Sequence, residues 1–139
     1  MKIVLEHGAY IPTRAYENDA GLDLYARESQ VVPARESAVF DTGVHIELPK
    51  EWVKTVGLLM SKSGLSVNHG LTSEGVIDMG YTGSIKVKLY NHSGFDYHVK
   101  AGDKISQLVI LPIITPEVEV VERLDTTDRG ENGFGSTGR

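Results

Sequence analysis

Short runs in which apolar and polar residues alternate constrain this chain more than any other feature. In the clearest run, Ile85, Val87 and Leu89 alternate with two lysines. Because successive side chains of a β-strand point to opposite faces, this period of two predicts a half-buried strand. Comparable apolar runs, separated by proline, glycine or asparagine, lie at residues 31–32, 38–40, 44–48, 52–60, 95–99, 105–111 and 118–121. Many short strands at near-regular spacing predict an all-β fold of the sandwich or jelly-roll barrel type, with at most one short helix, at residues 63–69.

The composition excludes several classes of protein. A chain of 139 residues makes one domain, and an apolar fraction of 40% is enough for a hydrophobic core. There is no cysteine, which excludes disulfides and thiolate chemistry, and the five histidines lack the spacing of zinc ligands. Charge near the amino end and the lack of a long apolar stretch predict a cytoplasmic protein with no membrane partner. A net charge of −5 without a basic cluster argues against nucleic-acid binding.

The carboxyl-terminal segment differs in composition from the rest. Residues 125–139 contain four glycines and one large apolar side chain, that of Phe134. Such a segment buries too little surface to hold itself in place. It is either an unstructured terminus or an arm whose arginine, aromatic ring and hydroxyls close over an anionic ligand with a flat ring. We therefore divide the chain into a folded domain, residues 1–124, and a flexible arm, residues 125–139.

Two segments combine glycine with side chains that bind ions. Asp23 would project opposite its apolar neighbours on a strand, where it either holds a hydrated divalent cation or bonds a neighbouring loop. Lys62, Ser63 and Gly64 stand at the start of the predicted helix, where free amides and the helix dipole favour phosphate. The alternative for this second segment is an N-cap serine beside a solvated lysine.

Two further segments place a polar side chain after or within an apolar run. Asp78 follows an apolar pair, residues 76–77, that we expect to be buried, and it stands at a glycine-rich turn. It is either a turn residue or a general base acting on water, with Tyr81 as a flat wall beside it. Gln107 is an amide in an otherwise apolar run, and a buried glutamine must bond backbone or a ligand.

Together with the tail, these segments resemble the five motifs of the homotrimeric dUTPase family (deoxyuridine 5′-triphosphate nucleotidohydrolases). The resemblance spans residues 20–138. The matching motifs, in chain order, are Ala20-Gly21-Leu22-Asp23-Leu24, Lys62-Ser63-Gly64-Leu65, Gly75-Val76-Ile77-Asp78 with Tyr81 and Gly83, Gly102-Asp103-Lys104-Ile105 with Gln107-Leu108, and Arg129-Gly130 with residues 133–138. Five motifs in one order are far more specific than any of them alone.

The resemblance implies a jelly-roll subunit of a threefold homotrimer with active sites at the subunit boundaries. The implied reaction is hydrolysis of dUTP to dUMP and pyrophosphate with Mg²⁺ chelated by the triphosphate, which limits uracil incorporation into DNA and supplies dUMP for dTMP synthesis. In the implied roles, Asp78 activates water, Tyr81 packs on deoxyribose and excludes a 2′-hydroxyl, and Asp23 holds a magnesium-bound water. The implied phosphate contacts are Lys62, Ser63, Gly64 and Gln107 and, at the terminal phosphate, Arg129, Ser136 and Thr137 of the arm. Phe134 of the arm would stack on uracil, and Gly135 beside it is a further substrate-binding residue.

Two positions depart from the family pattern. Lys62 replaces the usual arginine, which keeps the charge but loses the bidentate fork. The hairpin before Asp78 lacks the usual asparagine, so base recognition is assigned to Thr72 or Ser73, leaning on backbone polar groups, and Gly75 is a further substrate-binding residue.

Two other functions are alternatives. The dCTP deaminases share the fold and several motifs, but the position of their deaminating glutamate is Lys88 here, which cannot serve that chemistry. A non-catalytic regulator that senses dUTP and binds a protein partner would need nearly the same pocket. The presence of Asp78 discriminates between enzyme and regulator, because a pure binder has no use for a base there.

Overall fold

The computed structural model describes residues 1–49 and 53–133 of the chain. The described strands are β1 (Lys2–Leu5), β2 (Gly21–Tyr25), β3 (Gln30–Val32), β4 (Ser37–Asp41), β5 (Val44–Glu47), β6 (Thr55–Met60), β7 (Leu71–Thr72), β8 (Glu74–Ile77), β9 (Lys86–Asn91), β10 (Tyr97–Val99) and β11 (Lys104–Pro112). One helix, α1 (Ser63–His69), lies between β6 and β7. Within the described residues, no helix is both long enough and apolar enough to span a membrane.

The strands pair antiparallel in two larger sheets and two smaller ones. The larger sheets have the strand orders β2-β11-β6-β8 and β4-β9-β7, while β1 pairs with β5 and β3 with β10. Buried side chains of both larger sheets form one cluster, with Leu24 and Leu108 from the first sheet and Phe40 and Leu89 from the second. Because the sheets share one core, the molecule has the predicted all-β architecture of a jelly roll.

Strand β9 confirms the alternation that predicts it. Val87 and Leu89 are 0% and 1% exposed, whereas Lys86 and Lys88 face solvent. Strand β2 departs from this pattern, because four successive residues from Gly21 to Leu24 are buried. An aspartate on such a strand is enclosed whichever way it points, so the side chain of Asp23 is buried.

Helix α1 has the bounds predicted from the sequence. It ends at His69 because Gly70 adopts the left-handed conformation, with φ of 67°, and donates its N–H to the Ser66 carbonyl at 3.1 Å. The helix follows β6 after two residues, so Lys62 stands at one end of the larger sheet.

Two expectations at the level of elements are wrong. No strand forms at residues 118–121, where Val118 and Val120 are 93% and 95% exposed. A strand needs a hydrogen-bonded neighbour, and none of the described strands pairs with this segment. Val76 is also exposed rather than buried, because β8 alternates and turns only Ile77 of the pair toward the core.

Candidate active site

The buried carboxylate of Asp23 binds two lysines. Asp23 is 6% exposed on β2; its Oδ1 accepts a hydrogen bond from Lys62 and its Oδ2 accepts one from Lys104 Nζ at 2.7 Å. Burial opposes ionisation of this carboxyl, but the hydrogen bonds from the lysines outweigh it, and the pKa of Asp23 lies below its ordinary value. The same contact raises the pKa of Lys104. The cluster therefore holds a carboxylate between two cations.

Gln107 joins this cluster through the strand register. It lies opposite Asp23 on the β2–β11 ladder and opposite Met60 on the β6–β11 ladder. Its Nε2 donates to the Ser61 carbonyl at 3.1 Å, so the amide supports the segment that leads to Lys62. Its Oε1 lies against Gly21, where an added Cβ would approach it to 2.4 Å, so a side chain at position 21 would displace the Gln107 amide.

The start of helix α1 presents exposed polar groups beside this cluster. Lys62 is extended (φ −81°, ψ 128°), and its carbonyl accepts the N–H groups of Leu65 and Ser66. Ser63 and Gly64 are exposed, and an added Cβ at Gly64 would meet nothing within 4 Å. Ser63 is the first helical residue and makes no N-cap bond, so the N-cap interpretation of this serine is wrong.

The two hydroxyls of the following hairpin differ in environment. Thr72 Oγ1 is hydrogen-bonded to His92 Nε2 at 2.8 Å at the edge of an open cavity of about 750 Å³. Ser73 is 4% exposed, and its Oγ lies 2.9 Å from the Oγ of Ser106. The Ser73 hydroxyl therefore belongs to a buried network, while that of Thr72 lies nearer the surface.

A second cluster forms where β8 ends. Asp78 is exposed, and it lines a cavity of about 240 Å³ together with Tyr81 and Lys86. The Tyr81 N–H donates to the Asp78 carbonyl at 2.9 Å, so a tight turn sets the two side chains side by side. No sequence pattern distinguishes Lys86, because a lysine on the polar face of an alternating strand resembles any other solvated lysine.

The ring of Tyr81 folds back over Gly83. A Cβ on Gly83 would lie 2.5 Å from the Tyr81 hydroxyl oxygen, and that hydroxyl donates to the Ser84 carbonyl at 3.0 Å. Any side chain at position 83 would displace the ring. Gly83 thus fixes the position of the flat wall beside Asp78.

The two clusters lie at opposite ends of the β6–β8 pair. Met60 pairs with Glu74 and Gly57 pairs with Ile77, so Lys62 follows one end of this ladder and Asp78 the other. Three residue positions separate these pairs, about 10 Å at roughly 3.3 Å per residue, before either side chain is reached. One chain therefore does not bring Asp78 together with Lys62, Asp23 and Gln107.

The arm is described only in part. Arg129 is exposed and its Nε donates to the Asn132 carbonyl at 3.0 Å. The predicted contacts of Phe134, Gly135, Ser136 and Thr137 lie outside the described residues.

Comparison with curated proteins finds close relatives over nearly the whole chain. A family model described as dUTPase matches residues 7–138. The deoxyuridine 5′-triphosphate nucleotidohydrolase of Clostridium acetobutylicum is 44% identical over 137 residues, covering 96% of this chain and 92% of its own. The protein of the same name from Clostridium novyi is 42% identical and covers 99% of both chains.

Solved structures agree with this similarity. A mutant of the Staphylococcus bacteriophage 80alpha dUTPase, solved with dUpNHpp, superposes with a TM-score of 0.90 at 32% identity, covering 99% of this chain and 98% of its own. A mutant dUTPase of phage phi11, described with a structural Mg(II) ion, superposes with a TM-score of 0.80 at 31% identity, covering 88% and 96%. The sequence and the fold agree, and the chain belongs to the dUTPase family.

Proposed function

We propose that this protein hydrolyses dUTP to dUMP and pyrophosphate. One observation carries the proposal: Asp78 and Tyr81 line the same cavity. They are the predicted general base and the ring predicted to pack on deoxyribose, in a chain that matches the dUTPase family over residues 7–138. Asp78 is an exposed carboxylate directly after Ile77, the buried last residue of β8, so it is attached to the core yet open to water.

Asp78 would act as a general base. A carboxylate oxygen of Asp78 takes a proton from a water, and the water oxygen bonds the α-phosphorus. The bond from the α-phosphorus to the oxygen that bridges to the β-phosphorus breaks, and pyrophosphate leaves with that oxygen. The protein forms no covalent bond to the substrate in this reaction. Catalysis therefore depends mainly on positioning the water and the triphosphate and on neutralising the phosphate charge.

Tyr81 would select the sugar. Its ring is pinned between Gly83 and the Ser84 carbonyl, so it cannot retreat easily from a ribose packed against it. A 2′-hydroxyl would meet that fixed surface, whereas deoxyribose would not. The base would be read at the hairpin by Thr72, Gly75 and backbone groups, with Ser73 supporting the loop from inside.

The substrate's phosphates would be contacted by Lys62, Ser63, Gly64 and Gln107. The Asp23 carboxylate nearby is an oxygen donor of the kind that Mg²⁺ prefers, and the ion would arrive bound to the substrate. No group of three or more acidic or histidine side chains that could hold a metal occurs among the described residues. Mg²⁺ keeps several waters and is commonly held by substrate phosphates and one or two carboxylates. Asp23, whose two oxygens already accept from Lys62 and Lys104, would accept from such a water through its remaining lone pairs. Bound in that way, the ion would neutralise charge on the triphosphate.

A complete site would need more than one chain. Because Asp78 and the Asp23 cluster follow opposite ends of the β6–β8 ladder, a second copy must supply one of the two to a shared substrate. We therefore propose the homotrimer, with sites at subunit boundaries, to which Arg129 and residues 134–137 of the arm would be added on closure. We place this enzyme in the cytoplasm, since a chain without cysteine suits a reducing compartment.

Replacing Asp78 with asparagine tests the assignment. Asp78→Asn should keep the binding of a non-hydrolysable dUTP analogue, measured by calorimetry, because the side-chain volume is preserved. Pyrophosphate release from dUTP should fall about 10²- to 10⁴-fold, the usual contribution of a general base. Near-normal turnover would remove Asp78 from the mechanism. Assays of dCTP, dTTP and UTP beside dUTP, with and without magnesium, would establish the substrate class.

A regulatory role is a second candidate. Structures of the similar phage 80alpha enzyme are described as those of dUTPases that control transfer of virulence genes by a G protein-like mechanism. A chain that binds the analogue tightly but releases no pyrophosphate would favour such a dUTP-sensing role over the enzyme.

A further inference from the structure

His45 connects the amino-terminal strand to the loop that carries Tyr81. It lies on β5, with its side chain 27% exposed. Its Nδ1 lies 2.8 Å from the carbonyl oxygen of Thr82, and its Nε2 lies 2.9 Å from Glu6 Oε1. We call this arrangement of Glu6, His45 and the Thr82 carbonyl the His45 link.

Both partners of the imidazole in this link are acceptors. A backbone carbonyl has no proton to donate, and an ionised carboxylate has none either. A neutral imidazole has one N–H and would leave one of these oxygens facing a nitrogen lone pair. The geometry is therefore satisfied when His45 is an imidazolium that donates from both nitrogens.

The charges around the link favour that state. The hydrogen bond to Glu6, followed by that to the Thr82 carbonyl, raises the pKa of His45 above its ordinary value of 6.5. Hydrogen bonds from His45 and Arg27 lower the pKa of Glu6, which keeps its carboxylate ionised. The charged groups that surround the link are Lys2, Glu6, Arg27, Asp41, Glu47 and Lys86.

The loop depends on few attachments to the body of the protein. Its internal bonds, from the Tyr81 N–H to Asp78 and from the Tyr81 hydroxyl to Ser84, fix its shape but not its position. Three contacts attach the loop to the body: Met79 packs against the core near one end, the Ser84 hydroxyl donates to Asp41 at the other, and His45 donates to the Thr82 carbonyl between them, next to Tyr81. Thr82 is adjacent to Tyr81, so the His45 link restrains the backbone that positions the Tyr81 ring.

We propose that His45 is a positioning residue for the deoxynucleotide pocket, holding Tyr81 beside Asp78 through the carbonyl of Thr82. The inference rests on the proposed function for the identity of the ligand. The sign of the pH dependence follows from a folded-state pKa above 6.5. The link is complete below pH 6.5 and is lost as the pH rises through the raised value.

Nuclear magnetic resonance of the full chain tests the link without turnover. In ¹⁵N-histidine protein, both His45 ring nitrogens should be protonated at pH 6.5, and the Thr82 and Gly83 amides should shift with the His45 titration. Glu6→Gln should lower the pH of that titration. A His45 that titrates at or below 6.5, or loop amides that ignore its titration, would overturn the proposal whether or not the protein hydrolyses dUTP.

Ligand binding tests the consequence for the pocket. His45→Gln should bind the non-hydrolysable dUTP analogue about tenfold more weakly at pH 6.5, the size expected for one charge-assisted hydrogen bond that orders a loop. The difference from the wild type should shrink as the pH rises, and KM should increase more than kcat falls. His98→Gln is the matched control, since His98 is exposed on β10, and it should bind like the wild type. Equal affinity of His45→Gln and the wild type at pH 6.5 would refute the proposal.

Discussion

The role of the Asp23 carboxylate depends on its environment in the fold. The sequence leaves open whether its carboxylate holds a hydrated cation or bonds a neighbour. In the fold it lies on a fully buried stretch of β2 and accepts hydrogen bonds from two lysines that are far away in sequence. Its partners Lys62 and Lys104 begin the segments that would contact phosphate, so the carboxylate also sets the positions of these two cations.

Removing the charge of Asp23 should destabilise the fold. In Asp23→Asn two lysines would lose their shared counter-charge, and we expect the free energy of unfolding to fall by about 1–3 kcal/mol, less than for a fully buried pair because both lysines are partly exposed. Urea unfolding measures this, and Asp96→Asn, an exposed carboxylate that bonds the Ala34 N–H, should change it by less than about 0.5 kcal/mol.

The same substitution predicts a pH dependence. Because the pKa of Asp23 is below its ordinary value of 3.8, its contribution is fully present above that value and is lost as the pH falls through the folded-state pKa. The difference in stability between the wild type and Asp23→Asn should therefore be constant above pH 3.8 and should narrow in more acidic solution. A difference that widens with acid would contradict this sign.

At the scale of elements, the segment after β11 leaves its apolar side chains exposed to solvent. Residues 113–124 carry apolar side chains that solvent reaches almost completely, among them Ile114, Val118, Val120 and Leu124. Apolar residues that alternate with glutamates are typical of a strand with one covered face. None of the described strands pairs with this segment, and we predict that the covering surface comes from another chain of the proposed assembly.

Charged substitutions in this segment should weaken association. Burying a valine side chain contributes about 1.5–3 kcal/mol, so Val118→Asp and Val120→Asp should each shift the assembly toward the monomer by about tenfold or more. Sedimentation velocity across a concentration series measures this shift. Val39→Asp is the matched control, because Val39 is exposed on β4 and pairs with Lys88. Unchanged assembly in both variants would leave residues 113–124 without a role in the oligomer.

At the scale of the whole molecule, the separation of the two clusters decides how a site can form. The Asp23 cluster and the Asp78 cluster are each complete within a chain, but the β6–β8 ladder holds them apart. A rigid sheet cannot bend enough to close this gap. The active site is therefore a property of the proposed assembly more than of the fold of one subunit.

Mixing two variants that should each lose activity alone, one in each cluster, tests this arrangement. Asp78→Asn and Lys62→Ala chains, unfolded together and refolded, should regain about a quarter of the wild-type pyrophosphate release, because one site in four combines an intact Asp78 from one chain with an intact Lys62 from another. Asp78→Asn mixed with Tyr81→Ala should regain none, since both residues lie in one cluster of one chain. No recovery in the first mixture would place both functional groups on a single chain.

Much of the fold was predictable because its signals are local. The alternation around Val87 and Leu89 specifies a half-buried strand, and Gly70 specifies where α1 ends. The strand predicted at residues 118–121 does not form, because pairing depends on a neighbour that the sequence pattern does not reveal.

The sequence by itself determined the family, the all-β class and the identity of the candidate residues, since each rests on short motifs and on a period of two. Only the tertiary structure decided which of these residues meet. It placed Asp23 between Lys62 and Lys104, added Lys86 to the cavity of Asp78, and directed His45 toward the loop of Tyr81. The physical reason is that these contacts join segments that are distant in sequence, and the register of paired strands, which no local pattern encodes, sets their distances.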